Sequence, residues 1–140
     1  MSDLKYIGIA ETINSSDAYK TFVKVTNHTL IADEPVSVGG TDAGPAPGDY
    51  LCTALAACKT ITLRMYVHRK KWEVGEINVK VNLIKADGAS GPVHTFKCEV
   101  NVSSQITEEQ KIRLIQIAKA CPISKLLNKC AEVETVMKEG

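Results

Sequence analysis

Two cysteines, Cys58 and Cys121, have the residue type and the local settings for redox chemistry. Cys58 lies inside the apolar run 49–65, which has the composition of a helix, whereas Cys121 directly precedes Pro122. Because proline favours the first position of a helix, Cys121 is predicted to be the N-cap of a short helix. The unpaired N–H groups and the positive end of the dipole at a helix N-terminus favour a thiolate. A second thiol able to approach it would complete a redox pair.

Each cysteine also has a purely structural interpretation. Cys58 is mid-helix, and a thiol in an apolar helix is by default a small buried hydrophobe, so its surroundings alone favour a core role. For Cys121 the local sequence favours neither the functional nor the structural interpretation. The other three cysteines are predicted to be structural: Cys52 lies on roughly the opposite side of the helix from Cys58, Cys98 is on the apolar face of a strand, and nothing near Cys130 indicates activation.

Composition excludes several classes of function. The chain has 140 residues, a net charge of +1 and no low-complexity tract, so we expect one domain over residues 1–140 and neither a nucleic acid nor a membrane partner. Five cysteines with no C-x-x-C spacing argue against a disulfide framework and against a zinc site, and we expect no metal. With no signal peptide and no apolar stretch long enough to span a bilayer, we expect a cytoplasmic protein.

The patterning predicts an α+β fold with the order β-β-β-α-β-β-α-α-β. Residues 1–46 contain strands and a loop, residues 47–70 a long helix, and residues 76–140 a hairpin, two helices and a final strand. The long helix carries one apolar stripe, and Thr107 begins a capping box ahead of the next helix. The predicted strands are 6–13, 19–26, 29–32, 77–83, 96–102 and 131–137, and the stripe consists of Leu51, Leu55, Cys58, Thr62 and Met65.

Two motifs resemble those of a known family. Residues 44–47 (Gly-Pro-Ala-Pro), Leu51 and residues 54–58 (Ala-Leu-Ala-Ala-Cys) resemble the first cysteine motif of the OsmC/Ohr family of thiol peroxidases, and residues 121–127 (Cys-Pro-Ile-Ser-Lys-Leu-Leu) resemble the second. The separation of 63 residues between the two cysteines suits the family. The resemblance implies an OsmC-like fold, with antiparallel sheets wrapped around a long central helix, in an intertwined homodimer whose sites contain residues from both chains.

The resemblance also implies a mechanism without a metal, flavin or other cofactor. Cys58 takes the place of the peroxidatic thiol, which attacks an organic hydroperoxide, and Cys121 that of the resolving thiol, which converts the sulfenic acid to a disulfide. A dithiol or lipoyl-type reductant then restores the thiols. Leu51, Leu55 and Phe96 are the candidates for an apolar wall that shelters the alkyl group of the substrate.

Two positions depart from the family pattern. Peroxidase members carry a glutamate directly after the motif proline, where this chain has Gly48. Asp49, one residue later, matches the acidic position of a divergent branch and is a candidate orienting acid. Capping of the helix would by itself also explain an acidic residue at this position. Those members also bring an arginine from an N-terminal strand, and Lys20 and Lys24 are the substitutes that this chain offers. Because lysine presents a point charge rather than a rigid fork, the departures favour weaker or altered peroxidase activity.

Two other functions fit the same residues. The main alternative is an OsmC-like small-molecule binding protein with little or no peroxidase activity. The other is a thiol hydrolase or transferase that uses Cys121, which requires a histidine within hydrogen-bonding reach. His94, on the Phe96 face of a predicted strand, is the candidate.

Overall fold

The computed structural model describes residues 4–15 and 18–138. The chain forms two compact units, one up to Leu51 and one from Cys52 onward, and the boundary falls inside helix α1, Pro47–Lys70. The described residues form two antiparallel sheets and three α-helices, which confirms the α+β prediction, and α1 has the predicted bounds. The organisation of residues 1–140 as one domain, wrapped around a central helix, stays a prediction.

The first unit contains a three-stranded sheet in the order β1-β2-β3: β1 is Glu11–Ile13, β2 is Thr21–Val25 and β3 is His28–Ala32. The predicted first strand, 6–13, is wrong in its first half. Glu11 pairs with Lys24, and β2 ends one residue later at Val25, so residues 4–9 would extend past the end of β2. A strand needs such a partner for its backbone hydrogen bonds.

A buried carboxylate organises the loop that follows β3. Asp33 accepts hydrogen bonds from the Thr41 hydroxyl at 2.6 Å and from the backbone N–H groups of Glu34, Thr41 and Ala43 at 2.7, 3.2 and 3.1 Å. These bonds, led by the Thr41 hydroxyl, lower the pKa of Asp33 to about 2. The loop therefore holds a permanent negative charge.

The same loop explains the first glycine of the Gly-Pro-Ala-Pro motif. A Cβ atom at Gly44 would overlap the backbone carbonyl of Ile31 in β3. That carbonyl also accepts a hydrogen bond from the Tyr50 hydroxyl at 2.7 Å, and the Pro45 carbonyl accepts one from the Asp33 N–H at 3.1 Å. Close backbone approach of this kind requires glycine.

The second unit contains the rest of α1, a hairpin and two further helices. Strands β4, Ile77–Gly88, and β5, Gly91–Val102, pair along their whole length and extend closer to the turn than predicted; α2 is Glu108–Lys119 and α3 is Pro122–Asn128. The predicted capping box is confirmed, since the Thr107 hydroxyl accepts from the Gln110 N–H and the Gln110 side chain accepts from the Thr107 N–H. The core of this unit consists of Leu63, Tyr66, Val67, Val74, Leu114 and Ala118.

Two further expectations, one about α1 and one about the residues after α3, are wrong. The buried face of α1 is Leu55, Lys59, Leu63, Tyr66 and Val67, whereas Leu51 and Met65 of the predicted stripe are 49% and 65% exposed. The final strand predicted at 131–137 is absent from the described chain, where residues 129–138 form no strand and Met137 is 89% exposed. Alternation alone does not make a strand, because a strand is stabilised only by a neighbour to pair with.

Candidate active site

Cys121 is the N-cap of α3, as the sequence predicts. Its backbone is extended, with φ −64° and ψ 146°, which is the region that a following proline imposes. Its sulfur accepts a hydrogen bond from the Ser124 N–H at 3.4 Å. The Cys-Pro motif thus ends the preceding helical segment, starts α3 and fixes the direction of the thiol.

The structure brings Cys58 and Cys121 together, which the residue patterns alone left open. The Cys58 side chain, from the middle of α1, makes a hydrogen bond with the Cys121 side chain. Both thiols are free, Cys58 is half-buried and Cys121 is 0% exposed. One thiol of the pair is therefore reachable from outside the chain and the other is not.

Burial, and not the helix N-terminus, dominates the electrostatics of Cys121. Removal from water raises the pKa of the Cys121 thiol above its ordinary value, and the Cys58 thiol acts in the same direction. The Ser124 N–H and the charge of Lys59 lower it, but the burial effect is the largest. The expectation that the cap favours the thiolate is thus wrong in its net direction, because sequence does not show how deeply the sulfur is buried.

Lys59 is a site residue that the sequence analysis missed. Its side chain is only 5% exposed, and its ammonium donates to the carbonyl of Ala118, near the end of α2, at 2.8 Å. The same carbonyl accepts the backbone N–H of Cys121 at 3.4 Å. A signal was present, because Lys59 directly follows Cys58 in an otherwise apolar run, and a lysine is rarely buried unless it is partnered.

A cavity of about 500 Å³ is lined by Lys59, Ala118 and Ser124, whereas Cys58 and Cys121 are not among its lining residues. Leu55 and Phe96, two of the three residues predicted for the substrate wall, line it; the third, Leu51, belongs to the first unit. Cys98 also lines it and is exposed, so its predicted core role is wrong. The lining comes from α1, β5, α2 and α3: Leu55, Lys59, His94, Thr95, Phe96, Cys98, Val100, Ile115, Ala118, Lys119, Ser124, Leu127 and Asn128.

The remaining predicted residues lie in the first unit. Asp49 accepts a hydrogen bond from the Ala46 N–H at 3.1 Å in the first turn of α1, which fits its capping interpretation. The Lys20 ammonium lies 5.3 Å from the centre of the Phe22 ring, and Lys24 is exposed on β2. The orienting role of Asp49 and the thiolate-stabilising roles of Lys20 and Lys24 stay predictions.

Two kinds of feature are absent from the described residues. Within 4–15 and 18–138, no three His, Cys, Asp or Glu side chains are grouped so that they could hold a metal ion. In that same part of the chain, no helix has both the length and the apolar character needed to cross a membrane.

Comparison with known proteins identifies one family. A family model described as OsmC-like protein matches residues 40–136, a span that includes both cysteine motifs. No curated protein sequence matches the chain.

Solved structures share the fold at low identity. An organic hydroperoxide resistance protein from Elizabethkingia anophelis has a TM-score of 0.67 at 22% identity, with 89% of each chain covered. The organic hydroperoxide resistance protein OsmC from Legionella pneumophila has 0.66 at 16%, covering 89% of this chain and 91% of that one. An OsmC-like protein of unknown function from Vibrio cholerae has 0.67 at 16%, covering 89% and 93%.

Proposed function

The chain belongs to the OsmC-like protein family, and we propose that it is a cysteine-based organic hydroperoxide reductase. In this proposal it reduces hydroperoxides to alcohols through a Cys58 sulfenic acid and a Cys58–Cys121 disulfide. The single observation that carries the proposal is the side-chain contact between these two thiols across α1 and α3. Two structures with the same fold are named organic hydroperoxide resistance proteins, which supports the choice of substrate class.

The difference in accessibility supports the roles proposed for the two thiols. A hydroperoxide must reach the sulfur that attacks it, and Cys58 is half-buried whereas Cys121 is 0% exposed. Cys58 is therefore the peroxidatic thiol and Cys121 the resolving thiol. The raised pKa of the Cys121 thiol fits the second role, because a resolving thiol is needed as a nucleophile only after the first step.

The reaction proceeds in two steps followed by reduction. The Cys58 thiolate attacks the terminal peroxide oxygen, the O–O bond breaks, and the alkoxide takes up a proton to leave as the alcohol. The Cys121 sulfur then attacks the sulfenic sulfur, and the S–O bond breaks with loss of water. An external dithiol or lipoyl-type reductant regenerates both thiols by exchange, and no cofactor takes part.

The cavity accounts for a preference for organic substrates. Leu55, Phe96 and Leu127 contribute apolar lining, and an apolar wall favours an alkyl group by about 0.8 kcal/mol for each buried methylene. Leu51 stays part of the proposed wall. His94 lines this cavity, but the hydrogen bonds that the described chain gives the Cys121 thiol come from Ser124 and Cys58, so the hydrolase or transferase hypothesis loses support.

We include a homodimer and a cytoplasmic location in the proposal. Large apolar side chains are exposed in the segments outside the sheets, with Tyr6 at 88% and Val133 at 88%, and a second copy of the chain would cover such surface. All five cysteines are free, which fits a reducing compartment.

A binding protein is the second candidate, favoured by the departures at Gly48 and at the N-terminal strands. In that case the cavity holds a small apolar compound and the thiols are incidental. Loss of both thiols would leave the affinity of a binding protein intact, whereas it would end the turnover of a peroxidase.

Mass spectrometry separates the two. We would treat the reduced protein with one equivalent of cumene hydroperoxide, or of hydrogen peroxide in parallel, and map the peptides. We expect a loss of about two mass units located in a Cys58–Cys121 peptide pair, faster with the organic peroxide. The matched control is Cys130→Ser, an exposed cysteine after α3, which should oxidise like the native protein. Slow oxidation scattered over several cysteines would contradict the peroxidase and favour the binding protein.

A further inference from the structure

We propose that Lys59 is a positioning residue for the second step, in which its buried ammonium, anchored beside Cys121, stabilises the Cys121 thiolate that attacks the Cys58 sulfenic acid. This inference rests on the proposed peroxidase function and adds a residue to it. In the family pattern, an arginine from an N-terminal strand stabilises the peroxidatic thiolate, and this chain lacks that arginine. Lys59 is proposed to stabilise the other thiolate, that of the resolving Cys121.

The placement of the ammonium is the first support. Lys59 Nζ and the backbone N–H of Cys121 both donate to the carbonyl of Ala118, at 2.8 and 3.4 Å. The lysine side chain thus ends at the junction of α2 and α3, the same place from which Cys121 presents its sulfur to Cys58. α1 supplies both the first thiol and the charge, in consecutive positions.

The lack of an anionic partner is the second support. In the part of the chain that the structure describes, the ion pair found is Lys111 with Glu108, on the surface, and no carboxylate lies within 4.0 Å of Lys59. A buried ammonium costs free energy unless a charge or strong acceptors compensate it. A neutral carbonyl compensates it only in part, so a thiolate that forms at Cys121 completes the pair.

The electrostatics of the second thiol agree with this role. Burial and the Cys58 thiol both raise the pKa of Cys121, while the Ser124 N–H and the Lys59 charge lower it. When Cys58 becomes a sulfenic acid its thiol no longer exists, whereas the effects of Ser124 and Lys59 persist. Oxidation of the first cysteine therefore shifts the balance at the second toward the thiolate.

The step balances without another reactant. Cys121 gives its proton to water, and its sulfur donates an electron pair to the sulfenic sulfur of Cys58. The new S–S bond forms as the S–O bond breaks, and the hydroxide that leaves recovers a proton, so one water is the product. Lys59 stays an ammonium throughout.

Other titratable groups face the same space. The Cys58 thiol of α1 contacts Cys121, and His94 and Cys98 of β5 and Lys119 of α2 line the cavity next to Lys59. These groups are the same in every Lys59 variant, so a difference between the variants reports on Lys59.

The test is a single-turnover experiment on the full chain. Native protein, Lys59→Met, Lys59→Gln and Lys59→Arg are mixed with cumene hydroperoxide and quenched over time; dimedone traps the sulfenic acid and mass spectrometry measures the disulfide. We expect disulfide formation at pH 7, relative to the rate of Cys58 oxidation in the same variant, to be slower by roughly tenfold in Lys59→Met and Lys59→Gln, because the thiolate fraction falls tenfold for each unit of pKa. Raising the pH should restore the rate in both, and Lys59→Arg should keep most of it.

The controls separate charge from folding. Lys59→Gln keeps a donor for the Ala118 carbonyl without the charge, so it remains informative if Lys59→Met does not fold. Lys80→Met removes an exposed lysine of β4 and should behave as the native protein. Disulfide formation at the native rate in Lys59→Gln would overturn the role of Lys59 while leaving the peroxidase intact. Failure of the native protein to oxidise Cys58 at all would overturn both.

Discussion

Asp33 in the first unit and Cys121 in the second are both buried ionisable groups, yet their surroundings act in opposite directions. Asp33 is 2% exposed and accepts four hydrogen bonds, led by the Thr41 hydroxyl, which lower its pKa to about 2. Cys121 accepts one backbone hydrogen bond, from Ser124, and burial raises its pKa. The first environment holds a charge permanently, as a structural loop requires. The second disfavours a charge, and in the proposed mechanism the Cys121 thiolate is needed only in the second step.

The largest effect should come from removing the reachable thiol. Cys58→Ser should lower the rate of cumene hydroperoxide reduction by roughly a thousandfold or more, because the nucleophile of the first step is gone and the buried Cys121 cannot replace it. Turnover with an excess of dithiol reductant measures this, with Cys130→Ser as the matched control. Reduction at the native rate by Cys58→Ser would show that the roles are assigned wrongly.

The second-largest effect should be a loss of stability in acid, caused by protonation of Asp33. The pKa of Asp33 is about 2 in the folded protein, against an ordinary value of 3.8. The Asp33 carboxylate therefore contributes to stability above pH of about 4, and this contribution is lost as the pH falls toward 2. Urea unfolding of the native protein and of Asp33→Asn between pH 7 and 2 measures this. The native protein should lose more stability over that interval than Asp33→Asn does; parallel profiles would mean that the charge is not held as described.

The preference between two substrates tests whether the cavity binds the alkyl group of the hydroperoxide in the proposed reaction. Phe96 is half-buried and lines it, so Phe96→Ala should lower kcat/KM for cumene hydroperoxide by roughly fivefold to twentyfold through lost apolar contact. Hydrogen peroxide, which has no alkyl group, should be reduced at nearly the native rate. An equal loss for both substrates would place the effect in the fold rather than in substrate binding.

Alkali should give the smallest effect, and it should also lower the free energy of unfolding, but as the pH rises rather than as it falls. The pKa of the Cys121 thiol is raised in the folded protein. The neutral thiol therefore contributes to the free energy of unfolding below the ordinary thiol pKa, and this contribution is lost as the pH rises through the raised pKa. The native protein should lose stability above pH of about 8.5, and Cys121→Ser should lose less over the same interval. Urea unfolding between pH 7 and 10 measures this, and a steeper loss in Cys121→Ser would contradict the raised pKa.

Features set by neighbours in sequence were predictable, and features set by distant partners were not. The Cys121 cap, the Thr107 capping box and the bounds of α1 each depend on a few consecutive residues, and all three predictions are confirmed. The predictions of a strand over all of 6–13 and of one at 131–137 rest on local composition and on alternation, which do not show whether a pairing partner exists. The placement of Lys59 required the position of Ala118, which is 59 residues away.

The proposed oxidation would change the same sulfur atom that caps α3. The sulfur that accepts the Ser124 N–H is the same atom that would join Cys58, and α3 has only seven residues to hold its shape. A short helix depends heavily on its first-turn bonds. Formation of the proposed Cys58–Cys121 disulfide should therefore change the exchange rate of one amide hydrogen, that of Ser124, which would serve as a main-chain probe of oxidation.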